Sequence, residues 1–131
     1  MLAVFQPHRY TRTKHLQEEF AASLSSVDYL ILADIYPASE NPIKGITTRI
    51  IYDRIKKSGR GNVRIFPRSK IAVHLLKKLR PDDLVMVLGA GDINKVAAEL
   101  ARELQSVGRP SHKAWRVRLR RKKTEGRSQR A

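Results

Sequence analysis

Four short apolar runs, each bounded by a turn-forming proline or glycine and each followed by a stretch of helical periodicity, divide residues 2–104 into repeating strand-helix units. Strict alternation of this kind leaves little choice of sheet. Each helix must return the chain to the edge where the previous strand began, so the strands pair in parallel through right-handed crossovers. The first run, Leu2 to Gln6, ends at Pro7 and is apolar throughout, as a strand buried on both faces must be. Behind it, Leu16, Phe20, Ala21 and Leu24 fall on one helical face with Glu18 and Glu19 turned away, and Thr11 or Thr13 can serve as N-cap.

Asp28 to Ile35 forms the second strand, and Tyr36 to Gly45 the long loop that leaves it. Thr47 or Thr48 can cap the next helix, which carries Ile50, Ile51 and Ile55 inward and stops at Ser58-Gly59. Asn62 to Phe66 is the third strand, and Ser69 caps a helix that follows through Leu79 with Ile71, Leu75, Leu76 and Leu79 as its inner stripe. Leu84 to Leu88 is the fourth strand and runs into Gly89-Ala90-Gly91-Asp92, after which Val96, Ala97, Leu100, Ala101 and Leu104 mark the last helix. The expected class is α/β, a Rossmann-like open, mostly parallel sheet with flanking helices. Ligands of such sheets bind beyond the carboxyl ends of the strands, which here means Pro7 to Thr13, Asp34 to Gly45, Phe66 to Ser69 and Gly89 to Asn94.

At 131 residues the chain suits one domain, expected over 1–104, with a polar extension over 105–131. The net charge of +15 is unevenly spread: the extension holds ten Lys/Arg against one acid, Glu125. With its dense run from Arg116 to Lys123 and little hydrophobic periodicity, the extension is expected to be disordered. A small basic nucleic-acid-binding protein acting through this tail, with Trp115 for stacking, is the alternative function. Cysteine is absent, which excludes disulfides and thiolate metal sites and suits a reducing interior, so cytoplasm is the expected location. No apolar run reaches the roughly 18 residues of a membrane span, and no membrane partner is expected.

Pro7-His8-Arg9-Tyr10-Thr11-Arg12-Thr13 places two guanidinium groups three residues apart where a helix opens. Such a pair can grip an anion, since Arg offers bidentate donors and a helix N-terminus favours negative charge; it can equally stay solvated. His8 either contacts a ligand or serves as a hydrogen-bonded structural residue. The histidines show no metal-ligand spacing, and no metal is expected. Asp34 and Tyr36 stand at the end of the second strand, with Asp34 able to bond loop amides. Gly89 and Gly91 resemble small-residue turns where backbone approaches a ligand, and Asp92 can be the N-cap of the last helix. The turn lacks the third glycine of the dinucleotide fingerprint, and no GxxxxGK[ST] phosphate loop occurs anywhere in the chain.

Taken together, VFQPHRYTRT (Val4 to Thr13), LADIYPASENPIKGI (Leu32 to Ile46) and LVMVLGAGDI (Leu84 to Ile93) resemble the C-terminal domain of the Mur ligases, specifically those that add L-alanine to UDP-N-acetylmuramate. The resemblance implies an ATP-dependent, amide-bond-forming ligase of peptidoglycan precursor synthesis. In that family ATP activates the muramyl carboxylate as an acyl phosphate, which the amino group of L-alanine attacks. ATP and Mg are held by a central domain and the UDP-sugar by an N-terminal one, and the C-terminal domain closes over the amino acid. By resemblance His8, Arg9 and Arg12 line that cleft, the arginines in a catalytic, charge-stabilising role. Asp34, Tyr36, Ala38, Gly89, Gly91 and Asp92 would line it on neighbouring strand ends. The chain carries neither the ATP-binding part nor the UDP-binding domain, so it is expected to be inactive alone, and Met1 resembles a displaced start. A regulatory module keeping the shape without the reaction is a third reading.

Overall fold

A computed structural model describes residues 1–59, 62–106 and the backbone of 116–120. Along it follow β1 (Leu2–Phe5), α1 (Tyr10–Leu24), β2 (Tyr29–Leu32), α2 (Arg49–Lys57), β3 (Val63–Ile65), α3 (Arg68–Lys78), β4 (Leu84–Leu88), α4 (Asn94–Ser106) and β5 (Arg116–Arg120). The strands form one sheet in the order β3-β2-β1-β4-β5, and every neighbouring pair is parallel. The open, Rossmann-like α/β arrangement is thus the one expected from the alternation.

Successive side chains of a strand point to opposite faces, and here both faces are covered. Leu2 and Val4 of β1 join Ile71 and Leu75 of α3 and Val96 and Leu100 of α4 in one core layer. Ala3 and Phe5 join Leu24 of α1 and Ile51 and Ile55 of α2 in the other. Ile31, Ile71, Leu75 and Leu100 are fully removed from solvent, each worth about 1.5–3 kcal/mol of transfer free energy. None of the described helices is long and apolar enough to cross a membrane.

The strand order reverses direction beside β1. From β1 the chain steps outward to β2 and β3, then returns to the other side of β1 as β4. In open parallel sheets ligands commonly bind at such a reversal. The register sets Phe5 beside both Leu32 and Leu88, so the three central strands end level on that side.

Within the stretch 105–131, expected to be disordered, the described residues are 105–106 and the backbone of 116–120. α4 continues to Ser106, and Arg116–Arg120 pairs along the whole of β4, from Leu84↔Arg116 to Leu88↔Arg120. Without it the outer edge of β4 would present unpaired backbone groups, and the sequence Arg-Val-Arg-Leu-Arg has the period-two alternation of a strand. Abundant cationic charge does not prevent backbone pairing of this kind. The rest of the tail, Trp115 included, lies outside the described residues.

Candidate functional site

β1 runs straight into the rim. Gln6 N–H donates to the Leu88 carbonyl (3.0 Å), Pro7 is buried, and His8 and Tyr36 form an isolated parallel bridge beyond the ends of β1 and β2. That bridge rests on Tyr36 N–H to the Pro7 carbonyl (2.8 Å) and Arg9 N–H to the Tyr36 carbonyl (2.7 Å). The His8 and Tyr36 rings stack at 5.8 Å between centroids and 18° between planes. A Cβ on Gly91 would lie 2.6 and 2.8 Å from Cδ2 and Cδ1 of Tyr36, closer than real contacts allow, so the glycine turn lies directly on the tyrosine ring. Gly89 is similarly pressed, its ideal Cβ 2.6 Å from Cγ2 of Ile93. His8, Arg9, Tyr36 and Gly91 are thereby brought to one place.

Two residues outside the expected set tie the rim together. Gln6, 5% exposed, donates from Nε2 to Oδ1 of Asp92 (3.0 Å) and accepts the Ile93 N–H at Oε1 (3.2 Å). The other carboxylate oxygen of Asp92 meets Nε of Arg68 at 3.1 Å, joining the β4-α4 turn to the start of α3. Asp92 is therefore a cross-link, its two carboxylate oxygens meeting Gln6 and Arg68 among the described residues. The signal for Gln6 was present: a polar residue closes an apolar run that is otherwise fully buried.

α1 begins at Tyr10, earlier than its apolar spacing suggests, and its N-cap is Arg9 instead of Thr11 or Thr13. Arg9 makes no side-chain cap bond and has φ 72° and ψ 146°, a conformation rare for an L side chain. Its carbonyl accepts both the N–H of Thr13 (3.2 Å) and the Thr13 hydroxyl (2.8 Å), and Thr13 is fully buried. The cap comes from the long loop instead. Glu40 accepts the N–H groups of Tyr10 (2.6 Å) and Thr11 (3.2 Å) at Oε1 and the Thr11 hydroxyl (2.6 Å) at Oε2. These bonds, led by the Thr11 hydroxyl and aided by nearby Arg9, hold the Glu40 carboxyl below its usual pKa.

Arg9 and Arg12 themselves form no ion pair or hydrogen bond through their guanidinium groups with any described residue. His8 lies beside both. Burial first, then Arg9 and Arg12, lower its pKa, so the imidazole is held neutral, and its buried Nδ1 has no hydrogen-bond partner among the described residues. Asp34 is exposed and bonds to none of the loop amides, while Ala38 is half-buried and adopts φ 50° in the turn that delivers Glu40. Among the described residues no three His, Asp or Glu gather as a metal site. Two unpaired guanidinium groups, a neutral imidazole and a tyrosine ring can hold and orient an anion.

The family model described as Mur ligase, glutamate ligase domain, matches residues 1–91. A protein of Geotalea daltonii named UDP-N-acetylmuramate–L-alanine ligase is 45% identical over 106 residues, which is 80% of this chain and 23% of that protein. Proteins of the same name from Syntrophus aciditrophicus (44% over 108 residues, 82% and 22%) and Desulfotalea psychrophila (42% over 105 residues, 79% and 23%) are similar. The chain spans less than a quarter of the length of these curated relatives. Their names give no support to the tail-borne nucleic-acid alternative.

Proposed function

Because this chain belongs to the Mur ligase family, we propose that it is the C-terminal domain of an ATP-dependent ligase joining L-alanine to UDP-N-acetylmuramate, a cytoplasmic step of peptidoglycan precursor synthesis. One observation carries this reading most directly: the three segments on which the resemblance rests meet at one rim, through the Arg9–Tyr36 and Gln6–Asp92 hydrogen bonds and the seating of Gly91 on Tyr36. In this role Arg9 and Arg12 take anionic groups of the substrates, and guanidinium groups that no carboxylate among the described residues engages directly are suited to stabilising charge that develops during acyl transfer. Tyr36 and neutral His8 form the wall against which the small amino acid is oriented. Asp34, Ala38, Gly89 and Gly91 shape the surrounding rim, and Asp92 acts through its cross-links.

ATP and Mg belong, in this reading, to the whole ligase. The chain has no phosphate-loop sequence, and its described residues include no cluster of metal-ligating side chains. Both are assigned to the remaining domains of the ligase, and no step is routed through them. Mixing the 131-residue chain with the N-terminal and central domains of a relative, then supplying ATP, L-alanine and UDP-N-acetylmuramate, tests the reading. Phosphate release that depends on L-alanine and on this chain is expected. A demonstrably associated complex that releases none would end the assignment.

A further inference from the structure

A helix begins with N–H groups that have no partner inside it, and their aligned dipoles attract negative charge. At the rim, the opening of α1 and the two arginines stand side by side, so an arriving anion has two sets of donors to choose between. The structure has already filled one of them. Glu40 reaches from the loop after β2 to Tyr10 and Thr11, across 30 and 29 positions of sequence, and makes three hydrogen bonds there. Its turn is built to deliver it: Ala38 and Ser39 both take positive φ, 50° and 73°, and Glu40 N–H returns to the Pro37 carbonyl at 2.9 Å. The Arg9 and Arg12 guanidinium groups remain without partners among the described residues.

We propose that Glu40 is a positioning residue of this rim, filling the helix end so that an anionic ligand is taken by the Arg9 and Arg12 side chains. It fixes the opening of α1, with Arg9 at its N-cap and Arg12 on its first turn, and it occupies the Tyr10 and Thr11 backbone donors. This rests on the rim being the anion grip of the proposed ligase domain, but its test needs none of the missing domains.

The test is a titration of the full ¹⁵N-labelled chain with inorganic phosphate, followed by nuclear magnetic resonance. In the unaltered protein the Arg9 and Arg12 Nε–H resonances should shift while the Tyr10 and Thr11 backbone amides stay still. In Glu40→Ala those two amides should shift with phosphate as well. Glu40→Gln, which keeps an acceptor oxygen, should restore the original pattern. Glu40→Asp, one methylene short, should resemble the alanine variant and serves if that variant folds poorly. Amides of Tyr10 and Thr11 that respond in the unaltered chain as in Glu40→Ala would overturn the proposal. So would arginine resonances that ignore phosphate in every variant, or a glutamine variant that behaves like alanine. Failure of phosphate release in the domain-mixing assay concerns the ligase reading and is separable from all of these results.

Discussion

Arg9 offers a way to separate what the rim does for the fold from what it does for a ligand. At φ 72° and ψ 146° its Cβ crowds the neighbouring backbone, and the conformation persists because Arg9 N–H is tied to Tyr36 and its carbonyl to Thr13. Strain of this type costs about 1–3 kcal/mol for a residue bearing a Cβ. Truncation to alanine keeps the Cβ and therefore the strain. Glycine removes it, at the cost of about 0.5–1 kcal/mol of extra backbone freedom surrendered on folding. Arg9→Gly should therefore be more stable than Arg9→Ala by about 0.5–2 kcal/mol, equivalent to a rise of roughly 3–10 °C in Tm for a domain of this size. Urea unfolding followed by circular dichroism, with the unaltered protein as reference, measures the difference. Both variants should lose the phosphate response at this position, since neither has a guanidinium group. An alanine variant as stable as the glycine variant, or more so, would show that no strain is held at Arg9.

Two further outcomes follow from the same geometry. Gly91→Ala should destabilise the chain by about 1–3 kcal/mol, because its Cβ would be driven into the Tyr36 ring, and the Tyr36 near-ultraviolet dichroism should change with it; an unchanged unfolding midpoint would refute the close approach. Stability should also fall as pH drops from about 7.5 to about 5.5. His74 donates to or accepts from the Tyr29 hydroxyl at 2.7 Å, and its pKa is lowered from 6.5 by burial, then by Lys78, Arg64 and Lys77. Well above 6.5 both folded and unfolded forms are neutral and nothing is gained or lost. Below it the unfolded chain takes the proton first, so stability declines until the folded pKa is passed, and His8 adds in the same direction. Urea midpoints of the unaltered chain and His74→Gln across this range should show a shallower decline in the variant.

Much of the architecture could be read from the sequence because each of its causes is local. Val4, Ile31 and Val87 lie in continuous apolar runs since a central parallel strand is covered on both faces, and Ile51 and Ile55 sit one helical turn apart since only one side of α2 faces the sheet. The ends of the four strands then located the rim. What escaped were contacts made across long stretches of chain. No spacing rule connects Glu40 to Tyr10, because a cap usually comes from the residue preceding the helix, and here that residue is strained Arg9. The partners of Gln6 and Arg68 are illegible for the same reason, since each acquires its role only when Asp92 arrives from the far side of the reversal, although a polar residue closing a buried apolar run did mark Gln6. β5 was hidden by composition: charge density suggested solvation, whereas an unpaired strand edge needs backbone partners whatever side chains they carry.

The charges at the rim divide in a way that composition alone would not suggest. Arg68 is matched by Asp92, and the positive end of α1 by Glu40, so two of the local attractions for an anion are already satisfied inside the chain. Arg9 and Arg12 are left over, beside an imidazole that their own charge helps to keep neutral. Selectivity can come from this subtraction. A rim with every donor open would take any anion in several poses, whereas one whose helix end and third arginine are occupied presents a single pair of planar forks with fixed origin. The acids, few as they are in a chain of +15, are placed where they narrow the choice.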